Sequence, residues 1–226
     1  MKPVTATVAT FLAASTIVAG SAAARPPEGG YFAFGLGYAI ASGDRGVPLK
    51  GTAIPVEASG AIGEEIVRTD FGSGMSFELR FGWLIGPIAP ELSVFGHGTF
   101  DFENGAGYPG LNIRFHPFML IDSMADSKID ANVFIGGGYV IGGYQPDEDK
   151  IPVTTKGKGW DGWYLAFGVG ASYELSKRVH LGLDVKFALP MYSQWMFDWD
   201  EDINFEPEST PSTMVIAPSL QIQAFF

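Results

Sequence analysis

Eight segments with bulky apolar residues at every second position, an N-terminal export leader and a charge-poor composition together predict the fold class. It is all-β: one eight-stranded antiparallel transmembrane β-barrel of the up-and-down type.

The leader comes first. Lys2 gives a short positive head, residues 4–19 are apolar apart from small Thr and Ser, and Ser21-Ala22-Ala23-Ala24 offers a cleavage site. That core is too short and too rich in Ala and Thr for a comfortable helical span. Arg25-Pro26-Pro27 breaks any helix, so residues 1–24 read as a signal peptide and 25–226 as one barrel domain. The chain has no Cys, which excludes a lipid anchor at the cleavage site, disulfide stapling and thiolate chemistry. Its net charge of -11 argues against nucleic acid as a partner. After the leader, no apolar run has helical-span length. Thirty Gly and 18 Phe accompany only 17% charged residues, less charge than a soluble surface needs.

The period is that of extended chain. In the first segment Phe32, Phe34, Leu36, Tyr38 and Ile40 share one face, opposite Ala33, Gly35, Gly37 and Ala39. Met75, Phe77, Leu79, Phe81 and Trp83 oppose Ser76, Glu78, Arg80 and Gly82. Ile88, Leu92 and Val94 oppose Ala89, Glu91, Ser93 and His97, and Leu111, Ile113, Phe115 and Met119 oppose Asn112, Arg114 and His116. The second half continues with Val133, Ile135, Tyr139 and Ile141 against Asp130, Asn132, Gly136 and Gly138. Trp163, Leu165, Phe167, Val169 and Tyr173 then oppose Ala166, Gly168, Gly170, Ser172 and Glu174. Leu181, Leu183, Val185, Phe187 and Leu189 oppose His180, Gly182, Asp184, Lys186 and Ala188. The last set is Met214, Ile216, Leu220, Ile222 and Phe226 against Ala217, Ser219, Gln221 and Gln223. Within these cores every charge falls on the second register.

A soluble barrel would carry solvating residues on that register, outside an apolar interior. Here it is dominated by Gly, Ala and Ser with a few charges. That suits a crowded lumen, with Phe, Leu, Ile and Trp facing lipid. The connections alternate long and short, over about 41–74, 84–87, 97–110, 120–128, 143–162, 176–178 and 190–213. Short periplasmic turns and long external loops, with both mature termini periplasmic, produce this alternation. Pro90, Pro117 and Pro218 each remove a ladder donor and mark expected bulges or strand ends.

On these features the chain resembles the small outer-membrane barrels of Gram-negative bacteria, of the OmpA transmembrane-domain, OmpX and OmpW type. Terminal Phe226, with Ile222 and Leu220 on its register, resembles the signal read by the barrel-assembly machinery; Ala224 departs from it. The resemblance implies a cell-envelope protein in the outer membrane, a monomer in contact with membrane lipids and lipopolysaccharide. Periplasmic chaperones and the assembly machinery would be its partners during biogenesis.

Glu78, Arg80, Glu91, Arg114, Asp184 and Lys186 all project inward near mid-height. An eight-stranded barrel is just wide enough to fill with its own side chains. Buried charges need partners, so Arg80 and Arg114 are expected to interlock with Glu78 and Glu91 and obstruct the lumen. A catalytic set is not evident. His97, His116 and His180 lie on different strands, and His97-Gly98-Thr99 stands where a lipid A deacylase would carry His-x-Ser. The acidic run at Asp198, Asp200 and Asp202 fails the EF-hand pattern, with Ile203 and Ser209 at the sixth and twelfth positions. Loose divalent binding there is the weak alternative to a solvated loop. Trp195, Phe197 and Trp199 continue the outward register and read as aromatic girdle. No cofactor is implied. The expected function is structural or surface-interacting, through external loops. The rivals are an OmpW-like conduit for small hydrophobic molecules, suggested by Phe100, Phe102, Tyr108 and Tyr144, and a lipid A-modifying enzyme.

Overall fold

The computed structural model describes residues 26–44, 47–50, 67–69, 71–101, 103–124, 127–144, 158–198 and 203–226. The leader at 1–24 lies outside the described residues, as do Phe102, Trp199, Asp200 and Asp202.

The wall is a closed antiparallel ring. Its strands are β1 (Gly29–Gly43), β2 (Gly74–Leu84), β3 (Ile88–Gly98), β4 (Asn104–Phe115), β5 (Ile129–Tyr144), β6 (Lys158–Ser176), β7 (Val179–Asp198) and β9 (Thr213–Phe225). Each pairs with its neighbour in sequence, β7 pairs with β9, and β9 returns to β1. A further short strand, β8 (Ile203–Phe205), pairs only with the upper part of β7 and lengthens the wall beyond the ring. Closure removes the edges of the eight-stranded ring, so its ladder donors and acceptors can be met within the chain, as hydrocarbon demands.

The period-two reading matches burial. Along β2 exposure alternates without a break, with Met75, Phe77, Leu79, Phe81 and Trp83 outside and Ser76, Glu78, Arg80 and Gly82 inside. The exterior band of exposed Phe, Leu, Ile, Val and Trp is continuous around the ring. A water-facing surface would not carry it.

Three details differ from the sequence expectation. The connection placed at 97–110 is a tight turn at 99–103, because β3 runs to Gly98 and β4 begins at Asn104. Its Gly105, Gly107, Pro109 and Gly110 look like loop punctuation, yet all four pair within the wall. The connection at 116–128 is longer than a simple turn and carries two 3-10 turns, at Pro117–Leu120 and Asp122–Met124. Met119 therefore lies beyond β4 and packs against the buried cluster of Tyr31, Ala33, Leu84, Ala89 and Phe225 at that mouth. Finally, β5, β6 and β7 have 16, 19 and 20 residues, so the wall continues past a bilayer crossing toward the long connections.

Pro117 and Pro90 sit where a ladder ends, and Pro218 sits at an interruption within one. Pro117 opens a 3-10 turn. Pro90 lies just beyond the last β2–β3 pair, Gly82↔Glu91. Pro218 is within β9, and the β1–β9 ladder skips from Gly37↔Ser219 to Ile40↔Ile216 in unchanged register. No bulge forms there; the missing N–H simply faces a gap.

Candidate functional site: the charged layer in the lumen

Strand alternation on β2, β3, β4 and β7 sends all six predicted lumen residues inward, and all six are buried. Asp184 on β7 lies 2.6 Å from the Arg80 guanidinium of β2 and 3.0 Å from that of Arg114 on β4. Arg114 Nε donates to Glu91 Oε1 at 2.8 Å. Lys186 Nζ donates to Glu78 Oε1, completing a layer of three bases and three acids. Arg80 touches Glu91 and Glu78 only loosely, at 3.7 and 3.8 Å, so its tight partner is Asp184 rather than Glu91. Sequence could assign the register of these residues but not which partners meet across the lumen.

Neutral groups complete the layer. Arg80 donates to Gln221 Oε1, whose amide donates to Glu78 at 3.3 Å. Arg114 donates to Asn132, and Tyr31 Oη donates to Glu91. Gly82 has no side chain, and the Tyr31 ring lies across the space a Cβ would fill. Phe134 receives the Arg114 guanidinium at 4.6 Å from its ring centre and Lys186 Nζ at 5.5 Å. Such a layer combines mutual charge neutralisation with hydrogen bonds to some of the remaining donors, although Arg80 Nε, Arg114 Nη2 and Glu91 Oε2 have no hydrogen-bond partner among the described residues.

Toward the long connections the lumen is filled by rings. Phe95, Tyr108, Tyr144, Trp160, Tyr164, Tyr192 and Trp195 form one buried cluster. These residues were missed because the inward register reads as small and polar in most strands. Tyr108 and Tyr144 are correspondingly not loop residues: they lie on β4 and β5, facing inward. Of the two other aromatics assigned to loops, Phe100 is exposed in the 99–103 turn beside Tyr38.

Trp195 is a correction. It does not belong to the outer girdle but is 1% exposed inside the barrel, its Nε1 donating to Tyr144 Oη at 3.0 Å. The cause is a bulge: Asp161 pairs with Gln194 but Gly162 pairs with Tyr192, leaving Ser193 as an extra residue. One extra residue reverses the facing of the next, and Trp195 turns inward. The side chain of Phe197, farther along β7, lies outside the described residues. Among the exposed exterior rings, Tyr38, Tyr139 and Trp163 lie toward the long connections, and Trp83, Tyr173 and Phe226 toward the termini.

The remaining candidates are separate from the charged layer. All three histidines face inward and are buried; His97 bonds Tyr108 Oη at 3.0 Å and His116 pairs with Asp130 at 2.5 Å near the termini. Thr99 donates instead to Asp101 in the outer turn, and this bond, with that of the Glu103 amide, holds the Asp101 carboxyl below the usual range. Asp198 falls at the end of β7, and among the described residues no cluster of His, Asp and Glu could hold a metal ion. Leu220, Ile222 and Phe226 are all exposed on the exterior, with Phe226 stacked on Phe81 at 6.0 Å.

An antiparallel ring of eight strands, apolar outside and charged within, defines the class of small transmembrane barrels. No protein-family model and no curated protein sequence matches the chain. Among solved structures it is similar to Neisserial surface protein A, with TM-score 0.56 and 10% identity over 88% of this chain and 98% of that one. It is similar also to the outer membrane protein OprG from Pseudomonas aeruginosa, with TM-score 0.50 and 15% identity over 88% of this chain and 97% of that one. The fold is that of the small eight-stranded outer-membrane barrels.

Proposed function

We propose that this chain is a bacterial outer-membrane barrel whose lumen is sealed by its own charges and whose specific interactions are made by the long connections. The observation that carries the reading is Asp184 held between Arg80 and Arg114, three groups from three separate strands meeting in the lumen. Cross-lumen ion pairs fix the wall and leave no continuous polar path at that height. The exterior band contacts membrane lipid, and the connections at the β1–β2 end meet lipopolysaccharide and whatever lies outside the cell. Both mature termini then face the periplasm, and Phe226 with Ile222 and Leu220 serves the assembly machinery.

Because the chain has no native Cys, single cysteines can test this placement on intact cells. Ser209→Cys, exposed near the β8–β9 connection, is expected to react with a membrane-impermeant maleimide. Lys177→Cys, exposed in the β6–β7 turn, is expected to react only after the outer membrane is opened. The reverse labelling pattern, or recovery of the protein in another membrane, contradicts the reading.

The ring-lined outer mouth favours a second reading, a conduit for small hydrophobic molecules. The charge layer directly beneath it stands against passage, since an apolar solute would have to strip paired ions of their partners.

A further inference from the structure

The β1–β2 connection sends a piece of itself back into the barrel. Val67, Thr69 and Phe71 are all buried, although none belongs to the wall. The Phe71 ring stands 5.9 Å from Tyr144 and 5.8 Å, edge-on, from Tyr192. Its third neighbour is Gly142, where a Cβ would come within 2.4 Å of the Phe71 ring. A glycine at that point of β5 is thus what admits the ring.

The segment is latched at several points. The Thr69 amide donates to the Asp44 carbonyl at 2.8 Å, and the Asp44 amide donates back to Thr69 Oγ1 at 2.9 Å. Thr213 Oγ1 on β9 reaches the same hydroxyl at 2.9 Å. Trp160 Nε1 donates to the Arg68 carbonyl at 2.8 Å, and the Arg68 guanidinium lies 5.1 Å over the Tyr144 ring while donating to Asn104. Arg68, Thr69 and Phe71 together therefore touch β4, β5, β6, β7 and β9 at the mouth.

We propose that Val67, Arg68, Thr69 and Phe71 form a built-in stopper, with Phe71 as its plug and the Thr69 bonds as its latch, covering the buried ring cluster independently of the charged layer below. The two closures differ in kind. The charged layer is made of wall residues, and opening it would separate buried ions. The stopper is connection rather than wall, and its described contacts are hydrogen bonds, one of them from the Arg68 guanidinium, with ring contacts and a cation–ring contact. It can withdraw while every ladder of the ring stays paired, so the ring cluster of Tyr108, Tyr164 and Tyr192 is covered conditionally.

A cysteine reporter tests this. Ala106 is buried in the ring cluster on β4, and Ala33 is buried in the cluster at the opposite mouth on β1. In the refolded barrel, Ala106→Cys is expected to react slowly with a negatively charged methanethiosulfonate added in water. Adding Phe71→Ala is expected to raise that rate about 10-fold or more, while Ala33→Cys stays protected in the same background. Thr69→Val, which removes the hydroxyl bonds of the latch and keeps its amide bond and the ring, is expected to give a smaller rise of about threefold and carries the test if Phe71→Ala does not refold. The proposal is overturned if Ala106→Cys already reacts at the rate of an exposed thiol, if neither change alters its rate, or if Ala33→Cys becomes equally reactive.

Discussion

Arg80 on β2 and Asp184 on β7 meet at 2.6 Å although β1 and β9 separate their strands around the wall. The pair is therefore a strut across the lumen, not a cross-strand contact. Removing one partner leaves a buried charge without its tight contact, which costs about 3–5 kcal/mol. Arg80→Ala is expected to show that loss in a urea refolding titration in lipid vesicles. Arg80→Ala with Asp184→Ala is expected to recover part of it, because Glu78–Lys186 and Glu91–Arg114 remain as matched pairs. A coupling energy below about 0.5 kcal/mol in that cycle would show the strut to be energetically silent.

The exterior can be tested by charge. Leu79, exposed between Phe34 and Val94, lies in the middle of the apolar band. Leu79→Arg is expected to cost about 2–4 kcal/mol, the penalty for an arginine on the lipid face near the midplane. Ser209→Arg, outside the wall, should change stability by no more than about 0.5 kcal/mol. Equal effects at the two positions would remove the inside-out assignment.

The bulge at Ser193 has an optical consequence. Trp163 is 63% exposed on the exterior, whereas Trp195 is 1% exposed within. In single-tryptophan variants, lipids brominated on their acyl chains are expected to quench Trp163 strongly and Trp195 hardly at all. Comparable quenching would place Trp195 outside and delete the bulge from the account.

Phe226 closes the ring from the exterior, its amide donating to the Gly30 carbonyl at 2.9 Å and its ring stacked on Phe81. Deleting it is expected to slow assembly and leave aggregated precursor in the periplasm. Insertion at the parent rate would mean that the terminal ring is not read as a signal.

Much of this architecture was legible because period-two burial needs no long-range information. Glu78, Arg80, Glu91, Arg114, Asp184 and Lys186 declare themselves by sitting opposite bulky apolar neighbours on one strand. What escaped depended on geometry that is not local. Trp195 was misplaced because the extra residue at Ser193 shows only when β6 and β7 are paired. Tyr108 was read as loop because glycine and proline around it suggest a turn, while the wall uses them in strand. The partner of Arg80 was out of reach for the same reason: Asp184 is far away in sequence and three steps away around the wall. The stopper has no periodic signature at all, since Thr69 and Phe71 are held by the tertiary surroundings of the mouth.

The central claim is that the lumen is closed at mid-height by its own ion pairs, and electrical recording of the purified protein in a planar bilayer addresses it most directly. The unmutated barrel is expected to give no steady conductance above the bare bilayer, with current appearing only when Arg80 and Asp184 are both replaced by Ala and Phe71→Ala opens the outer mouth as well. A large, steady conductance from the unmutated protein would contradict the sealed lumen and make the barrel a channel.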